Sequence, residues 1–345
     1  MRSNPLVVWV AALTLPAVCH AQISSVIDPP PVSLLFDDFN DGVSTATGLN
    51  NTEDGGEAAG VASVNVLANA ADPQVQFPTP GDPFDIAALP YFRISSQGSV
   101  SVGSQVFPLP PAGATVVDFN VGANFAEAQL TFVTDPPGAD GSGLRIDPTG
   151  GGGPEVQTFG YDYIFLDRFQ TIGLAEYDRD NGTEGFDIAG NGHITNVQVS
   201  ASTGTLRAVT SGIDPIMQRA GLNVDAGVFN VLEIRAAFDP LSTSRFEVFW
   251  GTDTNPGPAG GQSLVVTDGL IRDGQLHTYR FQMGDDPRWS DTLQIVRIDP
   301  LADADAAAGR EFQIDYVRLI AGAPVTDTDG DSLPDAIETD TGTFV

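Results

Sequence analysis

The feature that most constrains this chain is a pair of strand-like runs that occurs twice. Residues 289–320 read WSDTLQIVRIDPLADADAAAGREFQIDYVRLI, two such runs around a turn-rich loop, and a weaker copy, LRIDPTGGGGPEVQTFGYDYIFL, occupies 144–166. Each copy holds R-I-D-P, a Gly-containing excursion, and an aromatic or β-branched run with an Asp inside it. Short runs of this composition, bounded by turn residues, are strands. A repeated closing pair implies two β-sandwiches in tandem, each closed in the same way.

Other runs fit that frame. In the first half they are LLFDDFN (34–40), VASVNVL (61–67), YFRIS (91–95), SVSVGSQVF (99–107), TVVDFNVG (115–122) and AQLTFV (128–133). The closing run at 159–166 puts Phe159, Tyr161, Tyr163 and Phe165 on one face by period-2 alternation, a core face or a ligand platform. The second half has HITNVQV (193–199), TLRAV (205–209), VLEIRAAF (231–238) and RFEVFW (245–250). SLVVT (263–267), LHTYRFQM (276–283), LQIVRI (293–298) and FQIDYVRLI (312–320) complete it. Such a series suits a jelly-roll or related sandwich. The last run breaks alternation: Phe312 and Ile314 share one side, Val317 and Leu319 the other, which points to a β-bulge.

The fold class expected is all-β: tandem jelly-roll-like antiparallel β-sandwiches with a short acidic calcium-loop tail. Residues 1–21 read as a secretory signal, with Arg2, an apolar Leu6–Val18 and a small residue, Ala21, at the end. Residues 22–33 form a Pro-rich leader, 34–170 a first sandwich, 184–322 a second, and 325–345 the tail. The stretch 167–185 is turn-rich and holds the boundary. Because 41–90 carries few strand signals, a single enlarged sandwich stays open as an alternative. No apolar run is long enough to span a membrane.

A formal charge of −30, from 15 Lys plus Arg against 45 Asp plus Glu, argues against nucleic acid, since no basic patch is present to neutralise phosphates. Such acidity serves solubility or is matched by divalent cations. The sharpest motif is D-T-D-G-D-S-L-P-D-A-I-E at 327–338. Asp327, Asp329, Asp331, Asp335 and Glu338 fall at positions one, three, five, nine and twelve, with the Leu333 carbonyl at seven. That is the oxygen-ligand spacing of a calcium loop, although Ser332 stands where the EF-hand has Gly. The motif resembles the aspartate-rich calcium repeats of thrombospondin type 3, which implies those residues as calcium ligands.

The second half, with GIDP at 212–215, Trp250, HTYRF at 277–281, Trp289, RIDP at 297–300 and FQIDYVRL at 312–319, resembles exported bacterial jelly-roll, carbohydrate-binding-like modules. The resemblance covers 184–322. It implies a structural calcium held by Asp315 and Asp187 in the second unit and by Asp162 and Asp38 in the first.

Trp289, Trp250 and Tyr279 are the candidates for stacking on a sugar ring. Against this, Tyr279 alternates with His277, Phe281 and Met283, and Trp250 with Phe246 and Val248, as core strands do. His277 reads as a satisfied core or rim histidine. Among carboxylates, Glu233 and Glu247 on successive runs are the least arbitrary acid–base pair, and Glu176 and Glu184 flank the boundary. No serine elbow or zinc-type histidine pair appears.

The function expected is a non-catalytic extracellular glycan-binding or adhesion protein stabilised by calcium. The alternatives are a structural subunit of a surface layer or fibre, in which the leader adds a strand to a neighbour's sheet edge during self-association, and a secreted glycoside-active enzyme.

Overall fold

The computed structural model describes Ile23 and residues 25–29, 31–37, 47–50, 52–58, 61–66, 74–78, 84–85, 91–98, 102–108, 117–121, 126–131, 140–141, 143–148, 157–177, 182–188, 190–200, 203–257, 262–267 and 269–322. The signal at 1–21, Asp38, and the tail with Asp327, Asp329, Asp331, Leu333, Asp335 and Glu338 lie outside the described residues, as does the side chain of Asp162.

All described regular structure is antiparallel β apart from two 3-10 turns, Met283–Asp285 and Ala304–Ala308. In the first half the strands are β1 (Ser25–Ile27), β2 (Ser33–Asp37), β3 (Thr47–Asn50), β4 (Thr52–Ala58), β5 (Val61–Val66), β6 (Gln74–Pro78) and β7 (Phe84–Asp85). They continue as β8 (Tyr91–Gly98), β9 (Val102–Pro108), β10 (Val117–Val121), β11 (Ala126–Thr131), β12 (Asp140–Gly141), β13 (Gly143–Pro148) and β14 (Gln157–Asp167). The second half contributes β15 (Thr171–Glu176), β16 (Ile194–Ser200), β17 (Thr205–Thr210), β18 (Met217–Asp225) and β19 (Val231–Phe238). It ends with β20 (Arg245–Thr252), β21 (Ser263–Val266), β22 (His277–Gln282), β23 (Thr292–Ala302) and β24 (Glu311–Ile320).

The two halves share one strand order in their main sheets, and the first half adds a two-stranded β7–β12 pair. One sheet of the first unit runs β11-β8-β14-β5-β4 with β2 also on β14; its counterpart runs β22-β19-β24-β17-β16 with β15 also on β24. The other sheet runs β10-β9-β13-β6-β3, and its counterpart β21-β20-β23-β18. Where β3 flanks β6, the second unit keeps a single bridge, Asp187 to Gln218 on β18. Both R-I-D-P runs lie on the central strands β13 and β23, and both aromatic runs on β14 and β24. The repeated pair in the sequence is therefore the centre of each sheet, not its edge.

Alternation explains the second unit's core. Leu232, Ile234, Ala236 and Phe238 of β19 point one way, with Tyr279 and Phe281 of β22, Phe312, Ile314, Val317 and Leu319 of β24, and Leu206 and Ala208 of β17. They meet Phe246, Val248 and Trp250 of β20 and Leu293, Val296 and Ile298 of β23 from the four-stranded sheet. The expected bulge is present: the β19–β24 register shifts between Arg235–Tyr316 and Ala236–Ile314, leaving Asp315 as the extra residue.

Two segments differ from expectation. The turn-rich 167–185 contains β15, a strand of the seven-stranded sheet. The Pro-rich leader contributes β1, which lies on the outer edge of β22 in its own chain, with Val26 opposite Arg280.

Candidate functional site

The outward face of the seven-stranded sheet carries the site. Alternation that sends Ile234 and Tyr279 into the core sends Glu233, Arg235, Thr278, Arg280, Tyr316 and Arg318 outward. Register sets Glu233 directly opposite Arg280 on one side and Arg318 on the other, while Arg235 faces Thr278 and Tyr316. Opposite charges on facing positions stabilise a sheet. The bulge adds Asp315, and β15 adds Glu176 opposite Tyr316.

Each arginine holds a carboxylate. Arg280 donates from Nε and Nη2 to Oε2 of Glu233 (2.8 and 2.5 Å), and Tyr316 donates its hydroxyl to Glu233 Oε1 at 3.1 Å. Arg318 grips Glu176 bidentately at 2.6 and 2.7 Å. Arg235 donates to Asp315 at 2.5 Å. All 15 basic residues of the chain are arginine, whose planar fork suits two-point pairing better than a lysine ammonium.

The first unit completes the network. Arg93 of β8 is fully buried and donates to Glu176 Oε1 at 2.6 Å and to Asp167, at the end of β14, at 2.9 Å. Ser33 donates to the other oxygen of Asp167 at 2.5 Å. Phe165 lies beneath two guanidiniums, with Arg93 4.4 Å and Arg318 4.7 Å from its ring centre, and Tyr316 stacks on Arg318 at 3.6 Å.

Between this face, Phe165 and the leader residues Asp28–Ser33 lies a groove of about 410 Å³. Burial would raise the Glu176 carboxyl, but the Arg318 and Arg93 guanidiniums pull it below its ordinary value. Asp315 goes the other way. Its burial and the nearby Glu176 outweigh Arg235 and Arg318, and its pKa is pushed up to about 6. Burial also raises the Tyr316 phenol, so it remains a donor throughout the neutral range.

Glu176 and Glu233 are thus engaged as acceptors by two or more donors each, an arrangement for binding rather than proton shuttling. Glu247 pairs with Arg245 at 2.8 Å on the other sheet, so it does not neighbour Glu233. Consecutive runs in the sequence lie on opposite layers of the sandwich.

The aromatic candidates lie elsewhere. Trp250, Trp289 and Tyr279 are 0%, 4% and 3% exposed, and none offers a face to a ligand. The two indoles meet edge-on with centroids 5.5 Å apart, and their N–H groups donate to the Arg288 and Phe229 carbonyls. The polar Arg288, Ser290 and Asp291 flank Trp289, and the turn at Asp286–Trp289 folds its ring inward.

Of the two residues expected to hold calcium in this unit, Asp315 is paired with Arg235, and Asp187 bridges to Gln218 on the opposite sheet. Among the described residues no group of three or more His, Cys, Asp or Glu is placed to hold a metal ion. No described helix is long and apolar enough to cross a membrane.

No family model matches the chain, and no curated protein does. Among solved structures it is similar to one described as BiXyn10A CBM1 in apo form, at 15% identity over 41% of this chain and 98% of that one, with a TM-score of 0.30. It is similar to a CBM4 structure at 20% identity over 37% of this chain and 99% of that one, TM-score 0.29. A third likeness is to an agarase, at 10% identity over 40% of this chain and 25% of that one, TM-score 0.32. Each covers about two fifths of this chain.

Proposed function

We propose that the protein binds a neutral glycan without cleaving it, in the groove over the outward face of the seven-stranded sheet, and that it does so outside the cell. The observation that carries this reading is the paired charge of the groove. Arg235, Arg280 and Arg318 are each matched by a carboxylate, and Asp28 adds one more. Hydroxyl groups of a sugar find fixed donors and acceptors there, while an anionic chain meets no uncompensated positive charge. A volume of about 410 Å³ lies within the range of small-ligand clefts, about 300–1,000 Å³. Calcium at 327–338 remains part of the proposal, supported by its oxygen-ligand spacing.

Titration calorimetry with neutral and with uronic-acid oligosaccharides tests the reading. Binding of neutral chains alone supports it; preference for the acidic ones, or no binding of either, overturns it.

A structural role has its own support. Arg93 joins Asp167 of the first unit to Glu176 of the second through fully buried charges, a connection suited to a stiff spacer. Tumbling of the two units as one body, measured by NMR relaxation, is expected under that reading.

A further inference from the structure

One wall of the groove is the leader, residues 25–29 and 31–33, and it is fixed at two ends by different chemistry. At its far end Val32 packs with Val231 and Ile320, and its carbonyl accepts from the Arg168 amide at 2.7 Å. At the near end β1 is a three-residue edge strand whose short ladder is backed by the buried Val26 and by Ile27 against the core.

Asp28 supplements that ladder. Its carboxylate accepts from the Thr278 amide at 2.9 Å through Oδ1, and Oδ2 lies 2.7 Å from His277 Nδ1. The other imidazole nitrogen lies 3.2 Å from both oxygens of Asp273. A neutral imidazole has one N–H and can serve only one of these carboxylates; the imidazolium serves both. Among the described residues no other charge competes. β19 presents Ala236 opposite His277, Arg235 beside it is held by Asp315, and Arg272 turns to the Ser244 and Leu270 carbonyls.

We propose that the leader is a strap over the groove whose hold is set by protonation of His277, so that a bound glycan is retained more firmly in mildly acidic than in alkaline medium. Retention rests on the groove being the glycan site; the strap itself does not. Burial works to lower the imidazole's pKa, but the Asp28 and Asp273 carboxylates outweigh it and raise it. A group raised in the docked state contributes its full hold below the ordinary value of about 6.5 and loses it as pH rises through the raised value.

The test is amide exchange of the leader in the full chain between pH 5 and 9, corrected for intrinsic rates, beside release of a labelled neutral oligosaccharide. In the wild type, protection of the amides of residues 25–28 is expected to fall about fivefold as His277 loses its proton, the size of a partly exposed ion pair, and release to quicken over the same window. H277Q should abolish the step, and D28N, which keeps the acceptor for Thr278, should shrink it. Flat protection in the wild type, or the same step in H277Q, overturns the strap. A clear step without any oligosaccharide binding leaves the strap standing and overturns the groove's assignment instead.

Discussion

The two faces of the seven-stranded sheet are made by the same strands and do opposite work. The inner face gathers Phe238, Tyr279, Phe281 and Phe312, with ring pairs such as Phe238–Tyr279 at 5.8 Å and Phe246–Phe281 at 6.1 Å. The outer face carries Glu233, Arg280, Arg318 and Glu176 in paired rows. Large aromatic surface drives burial, so the rings that looked most like a sugar platform are used to close the sandwich. Under the proposed glycan-binding reading, recognition falls to the charged face, where specificity must come from fixed hydrogen-bond partners.

The strongest way to break this contrast is to unbalance the outer face. Glu176 stands between two buried guanidiniums, so Glu176→Gln leaves Arg318 without its counter-charge and Arg93 with Asp167 alone, and is expected to cost about 3–5 kcal/mol in urea unfolding. Replacing Arg93, Asp167, Glu176 and Arg318 together by apolar side chains of similar size should recover most of that loss, because no buried charge is then left unpaired. If the single variant is as stable as the wild type, the network is not buried in solution. The lowered Glu176 pKa sets the sign with pH. Its contribution is full above the ordinary carboxylate value of about 4.3 and disappears as pH falls through the lower folded value.

The inner face is expected to answer with stability alone. Trp250→Phe removes volume from the core and the N–H bond to the Arg288 carbonyl, a loss of about 1–3 kcal/mol. Glycan affinity of the folded protein should stay unchanged, read by calorimetry well below the melting temperature. Arg235→Ala should do the reverse. The side chain is 43% exposed, so its loss costs little stability while weakening glycan binding about tenfold, or about 1.4 kcal/mol. Equal effects of both variants on affinity would erase the distinction between the faces.

The sequence disclosed the scaffold better than the site. VLEIRAAF at 231–238 is β19 residue for residue, and the alternation break in FQIDYVRLI marks the bulge in β24. Those signals survive because a sheet with one apolar face imposes period 2 on its residues. TIGLAE at 171–176 was unreadable for the opposite reason. With Glu176 4% exposed and Leu174 and Ala175 buried, both faces of the strand are covered and no alternation remains. The charged face left one trace: Glu233, Arg280 and Arg318 occupy the polar phase of three strands in a chain whose basic residues are all arginine. Which strands are neighbours is a matter of topology, and spacing along the chain does not carry it. The same gap misplaced Glu247 beside Glu233.

Asp315 gives the finest test, because the bulge keeps it and Tyr316 together on the outer face. Without the extra residue Tyr316 would follow Ile314 in strict alternation, and no carboxylate would meet Arg235. Placing it there has a cost in the ionised form: burial raises its pKa to about 6, against about 3.9 for an unfolded Asp. Between those values the folded chain binds more protons than the unfolded one, so stability falls as pH rises from about 4 to about 6. Asp315→Asn should flatten that slope and raise stability at pH 7 by about 1–2 kcal/mol, after allowance for the solvent that reaches Arg235. Urea midpoints at four pH values would show it. An unchanged slope would mean that Arg235 compensates the buried charge in full, and that the outer face tolerates an ionised Asp315 as readily as it does Glu176.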